Sequence, residues 1–266
     1  MRQIQITSPG GLENLSVCEV ERPRPKPNEV VVKIAASSLN YHDLMVALGL
    51  IPTDDKRIPL SDAAGEVVEV GSEVLEWRTG DNVMSVCFPN WQSGPPRADL
   101  LSFIGDHQDG YATEYIAIPA TALTRIPGNL NLTEAATLPC AGLTAWRALV
   151  DEGNLEAGQT VLVQGSGGVS VFALQIAKSL GARVIATSSS AEKLEKLSAL
   201  GADELVNYKE NPQWGREVLA KTGNEGVDHI VEVGGGGTFG ESVRCAKLGG
   251  HIALIGVLSG PAVSEI

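Results

Sequence analysis

This chain of 266 residues has little of several features that define common classes of protein. It has only four cysteines and no C-x-x-C pair, so we expect reduced thiols rather than a disulfide framework or a zinc ribbon. A formal net charge of −12 argues against nucleic acid or an anionic membrane as a partner. No apolar run approaches the roughly 20 residues of a membrane span, and the first residues do not resemble a signal peptide. We therefore expect a cytoplasmic protein with a small-molecule substrate.

The chain does contain enough apolar sequence for two domains, since 43% of its residues are hydrophobic. Short β-branched runs occur in the first half, at Glu29–Ala35, Gly65–Val70, Asn82–Cys87 and Tyr111–Ile118. Glycine, proline and aspartate turns separate them, which is typical of a small barrel-like β domain. Leu132–Val150 is predicted to be a helix-rich connector.

The second half alternates between strands and helices. The predicted strands are 161–164, Arg183–Thr187, Glu204–Asn207, His229–Val233 and His251–Val257. The predicted helices are 169–180, Ala191–Leu200, Trp214–Lys221 and Phe239–Leu248. Such alternation predicts a parallel sheet in a doubly wound α/β domain.

A glycine-rich turn joins the first of these strands to its helix. Gly165 permits the tight turn, and Gly167 allows backbone N–H groups to approach phosphate oxygens at the helix N-terminus, which Gly168 and Val169 begin. Ser170 replaces the third glycine of the usual G-x-G-x-x-G. Because a strand and a helix flank the turn, we predict a dinucleotide site, with a purely structural turn as the alternative.

Further motifs lie in both halves of the chain. They are Asn40-Tyr41-His42-Asp43 with Gly49, then 64–71, Gly80-Asp81-Val83, 110–115, 138–146, the turn at 165–169, Lys247-Gly249-Gly250 and 255–257. In this combination the chain resembles the medium-chain dehydrogenase/reductases, in their quinone-oxidoreductase branch. The resemblance implies an α/β protein with a GroES-like β-rich catalytic domain at 1–125 and an NAD(P)-binding Rossmann domain at 126–266, which includes a connecting helix at 132–150.

The resemblance also has an implication for the C-terminal part of the fold. Members of the family usually continue past the fifth Rossmann strand with a further strand and a return segment. We therefore expect this chain to lack the C-terminal part of the family fold. A homodimer, if it forms, would be weakened by that loss.

The zinc-dependent relatives hold their catalytic metal at positions that correspond to Asn40, Asp62 and Cys140. An amide is a poor zinc ligand, and a catalytic zinc keeps three protein ligands. We therefore expect no zinc, although His42 could complete an improvised site with Asp62 and Cys140.

The preferred dinucleotide is predicted from the end of the second Rossmann strand. NAD-preferring domains place an acid there, whereas this chain has Ser188 and Ser189, with Lys193 close behind. These groups suit a 2′-phosphate, so we expect NADP(H), with NAD(H) as the alternative; Lys193 could also lie on a solvated helix face. The resemblance implies that Tyr208 lies near this phosphate, Thr144 lies beside the nicotinamide, and Val257 and Leu258 lie at the sheet edge where ligands bind.

Asn40, Tyr41 and His42 are the catalytic candidates that the resemblance suggests. Asn40 could donate a hydrogen bond to the substrate oxygen, Tyr41 could flank the substrate, and His42 could deliver a proton. Each has a structural alternative: a capping asparagine, a half-buried aromatic and a solvated histidine. Without a Lewis acid, a conjugated acceptor is favoured because it spreads the developing negative charge.

We therefore expect an NADPH-dependent reductase of quinones or α,β-unsaturated carbonyls. Two alternatives stay open. One is a zinc-type alcohol dehydrogenase with an atypical metal site, and the other is a non-catalytic NADP(H)-binding protein.

Overall fold

The computed structural model describes residues 1–260, and the chain divides into two compact units between Cys140 and Ala141. Among these described residues, no helix combines the length and apolarity needed to cross a membrane. The predicted α/β class, with a β-rich domain followed by a parallel-sheet domain, is confirmed.

The first unit is built mainly from antiparallel strands. Its strands are β1 (Arg2–Ile6), β2 (Leu15–Glu19), β3 (Glu29–Ala36), β4 (Ala64–Val70), β5 (Asn82–Ser85), β6 (Tyr115–Pro119) and β7 (Leu123–Arg125). Its helices are α1 (Tyr41–Ala47) and α2 (Leu132–Ala135), with single 3₁₀ turns at Leu12–Asn14, Ala98–Leu100 and Ala120–Ala122 and a wide helical turn at Leu138–Gly142. β1 and β2 form a separate hairpin, and the other strands form one sheet in the order β6-β3-β4-β5-β7.

A cluster of β-branched and aromatic side chains forms the core of this unit. Val30 and Val32 of β3 pack with Val67 of β4 and Val83 of β5. These residues are almost fully buried, as expected for side chains that alternate between the two faces of a strand. The core fixes the register of β3 against β4, and thereby positions the segments that follow each strand.

The second unit is a five-stranded parallel sheet with helices on both faces. Its strands are β8 (Thr160–Gln164), β9 (Arg183–Ser188), β10 (Glu204–Asn207), β11 (Val227–Glu232) and β12 (Ala246–Leu254), in the order β10-β9-β8-β11-β12. Its helices are α3 (Leu143–Trp146), α4 (Gly168–Ser179), α5 (Ala191–Ala199), α6 (Trp214–Lys221) and α7 (Phe239–Cys245), with a wide turn at Arg147–Asp151. Two apolar clusters cover the opposite faces of the sheet, so its strands are almost continuously apolar.

Several elements differ from the sequence prediction. The β1–β2 hairpin, α1 and β7 were not predicted, because each is short and has little periodic signal. The strand predicted from Tyr111 begins at Tyr115, since Tyr111 and Ala112 donate their N–H groups to Leu60 and Pro59 instead of to a neighbouring strand.

The end of α7 also differs. The helix stops at Cys245 rather than Leu248, because Ala246 is already extended and pairs with Val227 of β11. The predicted connector at 132–150 consists of two four-residue helices with wide turns, and its first helix packs on β3 and β4 of the first unit.

Candidate functional site

The order of the parallel sheet defines a ligand crevice in the second unit. β8 lies in the middle of the sheet, and the chain continues outward from it in both directions, to β9 on one side and to β11 on the other. Ligands of doubly wound sheets bind at the carboxyl ends of the strands, at this reversal of order. Those ends are Gln164 of β8 and Glu232 of β11.

The glycine-rich turn at the end of β8 leaves open space for a ligand. Gly165 has a φ of +74°, which favours glycine, and its N–H bonds to the carbonyl of Thr187 at 2.8 Å. A Cβ added at either Gly165 or Gly167 would meet no atom within 4 Å. The added Cβ of Gly168 would lie 3.2 Å from the Cβ of Ala141, so a larger residue here would crowd Ala141.

The helix that follows is ready to receive an anion. Gly167 is the N-cap of α4, and no side chain caps the first turn. The N–H groups at its start therefore remain free to bind phosphate oxygens, and the helix dipole favours negative charge there. Val169 contributes its backbone to this turn, while its side chain packs against the core. This cradle fits the pyrophosphate of a dinucleotide.

Ser170 explains why the third glycine of the usual fingerprint is dispensable. The side chain is buried, and its Oγ donates a hydrogen bond to the carbonyl of Gln164 at 2.6 Å. The serine thus ties the first turn of α4 to the last residue of β8. A glycine at this position would leave that carbonyl without this partner.

The residues predicted to select the dinucleotide lie together at the end of β9. Ser188 is buried, and its carbonyl accepts the N–H of Tyr208 at 3.1 Å, so Tyr208 lies beside this strand end. Ser190 caps α5 by accepting the N–H of Lys193 at 3.5 Å. Lys193 is exposed, and within residues 1–260 its ammonium forms no salt bridge, whereas Glu192 pairs with Lys196. The ammonium is therefore available to an anionic ligand.

Glu232 is a feature of this crevice that the sequence reasoning missed. Its carboxylate is fully buried and accepts hydrogen bonds from Gln164 Nε2 at 2.6 Å, Gly234 N at 2.8 Å, Gly235 N at 3.0 Å and Thr238 Oγ1 at 2.5 Å, as well as from Ser242 Oγ. It therefore connects the end of β8 to the loop after β11 and to α7. The signal in the sequence was an acid inside an apolar strand, directly before a run of glycines.

The other predicted cofactor contacts of the second unit are Thr144, Val257 and Leu258. Thr144 is half-buried on α3. Val257 and Leu258 are exposed, and they lie beside the loop after β11, because Leu258 N donates to Val233 O at 3.3 Å. Their roles in cofactor binding stay predictions.

In the first unit, Asn40 lies at the start of α1 and faces Asp62. Asn40 occupies the N-cap position, and its backbone N–H donates to Asp43 Oδ2 at 2.8 Å. Its side-chain Nδ2 donates to Asp62 Oδ2 at 2.9 Å and to Ser61 Oγ at 3.2 Å. Asp43 also accepts the N–H of Ser61 at 3.0 Å, which holds the 61–62 segment against the helix. Asn40 therefore occupies the N-cap position while its side chain donates to Asp62 and Ser61.

Asp62 is the most perturbed carboxyl group near Asn40. It is fully buried, and its Oδ1 has no hydrogen-bond partner within the described residues. Burial raises the pKa of Asp62 to about 7, and the nearby charge of Asp43 adds to the increase, whereas the hydrogen bond from Asn40 opposes it. The sequence drew attention to Asp62 only as a position that corresponds to a zinc ligand.

Two cysteines complete the surroundings of Asp62. The backbone of Cys140 partly offsets the effect of burial on the pKa of Asp62, and Cys87 is the second cysteine in this region. Cys87 is buried and also donates from Sγ to the carbonyl of Pro139 at 2.8 Å. The bond to Cys140 and burial together raise the pKa of the Cys87 thiol.

His42 is directed toward a different acid. Its Nε2 lies 3.0 Å from Oδ2 of the buried Asp106, which also contacts His107 Nδ1 at 2.6 Å. Burial raises the pKa of Asp106, but the hydrogen bonds from His42 and His107 outweigh it, so this pKa lies below the usual value. Asp106 therefore orients His42, and no motif or spacing in the sequence indicated this contact. Tyr41 is exposed on the neighbouring position of α1.

The residues at the zinc-ligand positions do not fit a zinc ion. Asn40 turns its amide N–H₂ group toward Asp62 and Ser61, so only its carbonyl oxygen, a poor zinc ligand, could face a cation. Only Asp62 and Cys140 then remain of the three protein ligands that a catalytic zinc requires. His42 is engaged by Asp106, and residues 1–260 hold no group of three His, Cys, Asp or Glu side chains arranged for a metal.

With this geometry in place, comparison with known proteins assigns the family. Residues 26–128 match the alcohol dehydrogenase GroES-like domain, and residues 168–266 match the family described as zinc-binding dehydrogenase. The chain belongs to the medium-chain dehydrogenase/reductase superfamily, as its sequence motifs predicted, and it is an NAD(P)-dependent oxidoreductase.

Three relatives illustrate the range of this family. A zinc-type alcohol dehydrogenase-like protein of Schizosaccharomyces pombe is 42% identical over 94% of this chain and 74% of its own length. A chloroplast envelope quinone oxidoreductase homolog of Arabidopsis thaliana is 34% identical over 95% of this chain and 73% of its own length. A mycobacterial protein solved in complex with NADPH is 30% identical, with a TM-score of 0.82 over 98% of this chain and 75% of that structure.

Proposed function

We propose that this protein uses NADPH to reduce a quinone or an α,β-unsaturated carbonyl, without a catalytic zinc. The observation that carries the proposal is the Asn40–Asp62 pair, at 2.9 Å, at two of the positions that the resemblance assigns to the zinc ligands. A neutral amide that donates hydrogen bonds takes the place of a cationic Lewis acid. The named quinone oxidoreductase homolog supports the same substrate class.

The second unit supplies the cofactor site in this proposal. The open cradle at Gly165 and Gly167, together with the uncapped start of α4, would hold the pyrophosphate. Lys193, with Ser188 and Ser189 near it, would bind the 2′-phosphate that distinguishes NADPH from NADH. The related mycobacterial structure with NADPH supports this choice. When bound, the nicotinamide supplies the hydride.

The first unit supplies the contact to the substrate oxygen. Both N–H bonds of the Asn40 amide are in use, and the longer one, to Ser61 at 3.2 Å, is the one that a substrate oxygen would replace. The shorter bond to Asp62 would keep the amide oriented meanwhile. One amide hydrogen bond stabilises a localised alkoxide only modestly, whereas a conjugated acceptor spreads its charge into an enolate or a hydroquinone anion. The site is therefore suited to conjugated acceptors.

His42 has a supporting role in this proposal. The hydrogen bond to the buried Asp106 holds its ring in one orientation, which a proton-transfer group requires. Tyr41, exposed beside it, would flank a planar substrate. Both roles follow from position on α1 and are tested by substitution.

The experiment is a steady-state assay of NADPH oxidation with a panel of benzoquinones, naphthoquinones and cyclic enones. The reverse panel is NADP⁺ with primary and secondary alcohols, and each assay is repeated with NADH or NAD⁺ and after treatment with a chelator. We expect turnover of the conjugated acceptors, preference for NADPH and no effect of the chelator. Activity confined to alcohols and lost on chelation would support the atypical metal site instead. Calorimetric binding of NADPH without any turnover would support a non-catalytic role.

A further inference from the structure

A run of four glycines, residues 234–237, follows β11 at the carboxyl edge of the parallel sheet. We refer to residues 233–238 as the glycine loop. Glycine-rich loops in such positions often bind phosphate through free backbone N–H groups, as the turn after β8 is expected to do. In the glycine loop, however, each backbone N–H donates to an acceptor within the protein. The acceptors, in chain order, are Gln164 Oε1, Glu232 Oε1 (twice), the carbonyl of Gly260, Ser259 Oγ and the carbonyl of Gly235. The loop is therefore not a second phosphate site.

The carboxylate of Glu232 binds this loop with one oxygen and the core of the unit with the other. Oε1 accepts two of the N–H groups of the loop and the hydroxyl group of Thr238. Oε2 accepts from Gln164 Nε2 and from Ser242 Oγ, which belong to β8 and α7. All of these groups donate, so an ionised carboxylate satisfies them and a carboxyl proton would have no acceptor among them. Its negative charge also disfavours a phosphate at the loop.

The glycine loop is joined to the segment that follows β12. The backbone N–H and the hydroxyl group of Ser259 both donate to the carbonyl of Gly234 at 2.7 Å. Gly235 has a φ of +82°, and a Cβ added there would lie 2.7 Å from the carbonyl oxygen of Gly260, so the two backbones approach too closely for a side chain. The contacts of Glu232 therefore fix a surface built from two segments, which includes the exposed Val257 and Leu258.

The order of the strands indicates which part of a dinucleotide would face this surface. The pyrophosphate cradle follows β8, in the middle of the sheet, and the groups predicted to bind the 2′-phosphate follow β9, on one side of it. The two halves of a dinucleotide extend from the pyrophosphate in opposite directions across such a sheet. The nicotinamide half would therefore extend toward the carboxyl end of β11. A nicotinamide ring carries no phosphate, which matches a loop whose N–H groups are already used.

We propose that Glu232 is a positioning residue for the nicotinamide half of the cofactor. Its carboxylate does not contact the cofactor; it fixes the glycine loop, and the loop forms the wall against which the nicotinamide binds. The proposal rests on the cofactor site of the proposed function. It distinguishes the two oxygens: loss of a contact at Oε1 loosens the loop, whereas loss of a contact at Oε2 loosens only the core.

Two matched variants test this distinction. Thr238→Val keeps the shape of the side chain and removes one hydrogen bond at Oε1, and Ser242→Ala removes one hydrogen bond at Oε2. Each variant and the wild type are titrated by calorimetry with NADPH and with 2′-phospho-ADP-ribose, the part of NADPH that lacks only the nicotinamide. NADH and ADP-ribose form a second pair of ligands. The fluorescence of bound NADPH reports the surroundings of the reduced ring directly.

We expect Thr238→Val to weaken NADPH binding about 3- to 10-fold, as for the loss of one hydrogen bond, and to leave the binding of 2′-phospho-ADP-ribose unchanged. The fluorescence of bound NADPH should shift toward that of free NADPH. Ser242→Ala should lower the melting temperature and leave the ratio of the two affinities at the wild-type value. A ratio that Thr238→Val does not change, or that Ser242→Ala changes equally, overturns the role of Glu232.

The cofactor cradle is tested separately by the same titrations. 2′-Phospho-ADP-ribose retains the pyrophosphate and the 2′-phosphate, so its binding depends on the cradle and on the groups after β9. A wild-type protein that binds neither this fragment nor ADP-ribose refutes the cofactor site of the proposed function, and the role of Glu232 with it. A wild-type protein that binds the fragment, combined with an unchanged affinity ratio in Thr238→Val, overturns the role of Glu232 alone.

Discussion

Gly167→Ala tests the cofactor cradle most directly. The backbone of Gly167 is extended, with φ −80° and ψ 174°, so alanine adopts it without strain. A Cβ there would meet no protein atom within 4 Å, and the protein itself has room for it. Alanine is a poorer N-cap than glycine, by less than about 1 kcal/mol, and a smaller entropy loss on folding offsets part of this cost. We expect the melting temperature to move by no more than about 4 °C.

The same Cβ would occupy the space where backbone N–H groups are expected to reach the pyrophosphate. A hydrogen bond to a charged group is worth about 1.5–3 kcal/mol, so losing one should weaken NADPH binding about 10- to 100-fold. The assay is titration calorimetry with NADPH, combined with a thermal melt. Gly128→Ala is the matched control, because Gly128 also has open space around it and no positive φ, but lies in a loop of the first unit. If Gly167→Ala binds NADPH as tightly as Gly128→Ala does, the cradle is not the pyrophosphate site.

Three other predictions test separate groups. Lys193→Ala should weaken NADPH binding about 10- to 100-fold, from the loss of one charged contact, and leave NADH binding unchanged; an equal loss for both cofactors would contradict the 2′-phosphate assignment. Asp62 has a folded-state pKa of about 7, above its ordinary value of 3.8, so its contribution to stability is present below pH 4 and is lost as the pH rises to 7. The free energy of unfolding of Asp62→Asn, relative to wild type, should therefore increase by on the order of 4 kcal/mol from pH 4 to pH 8. Urea unfolding at both pH values measures this change, and a difference that does not change with pH would refute the prediction. Asp106→Asn should lower kcat by at least about tenfold with unchanged affinity for NADPH, because His42 loses its orienting carboxylate; an unchanged kcat would exclude His42 from proton transfer.

Part of the fold could be predicted from the sequence because the residue patterns that indicate it are local. The alternation of strands and helices after residue 160 follows from periodicity, and the strands and helices there lie within a few residues of their predicted positions. The turn at Gly165–Gly168 is likewise a local signal, because a tight turn with a close backbone approach requires glycine at fixed positions. Short elements without periodicity, such as α1, could not be predicted in this way.

The pairings in both candidate sites depend on contacts between distant parts of the chain. His42 is 64 residues from Asp106, Gln164 is 68 residues from Glu232, and Cys87 is 52 residues from the Pro139 carbonyl that it contacts. Local propensity carries no information about such contacts, because they form only when the sheets bring the ends of separate strands together. Local patterns were therefore sufficient to predict the α/β architecture and the glycine turn. The contacts of Asn40 with a buried carboxyl group and of His42 with Asp106 arise only when the chain has folded.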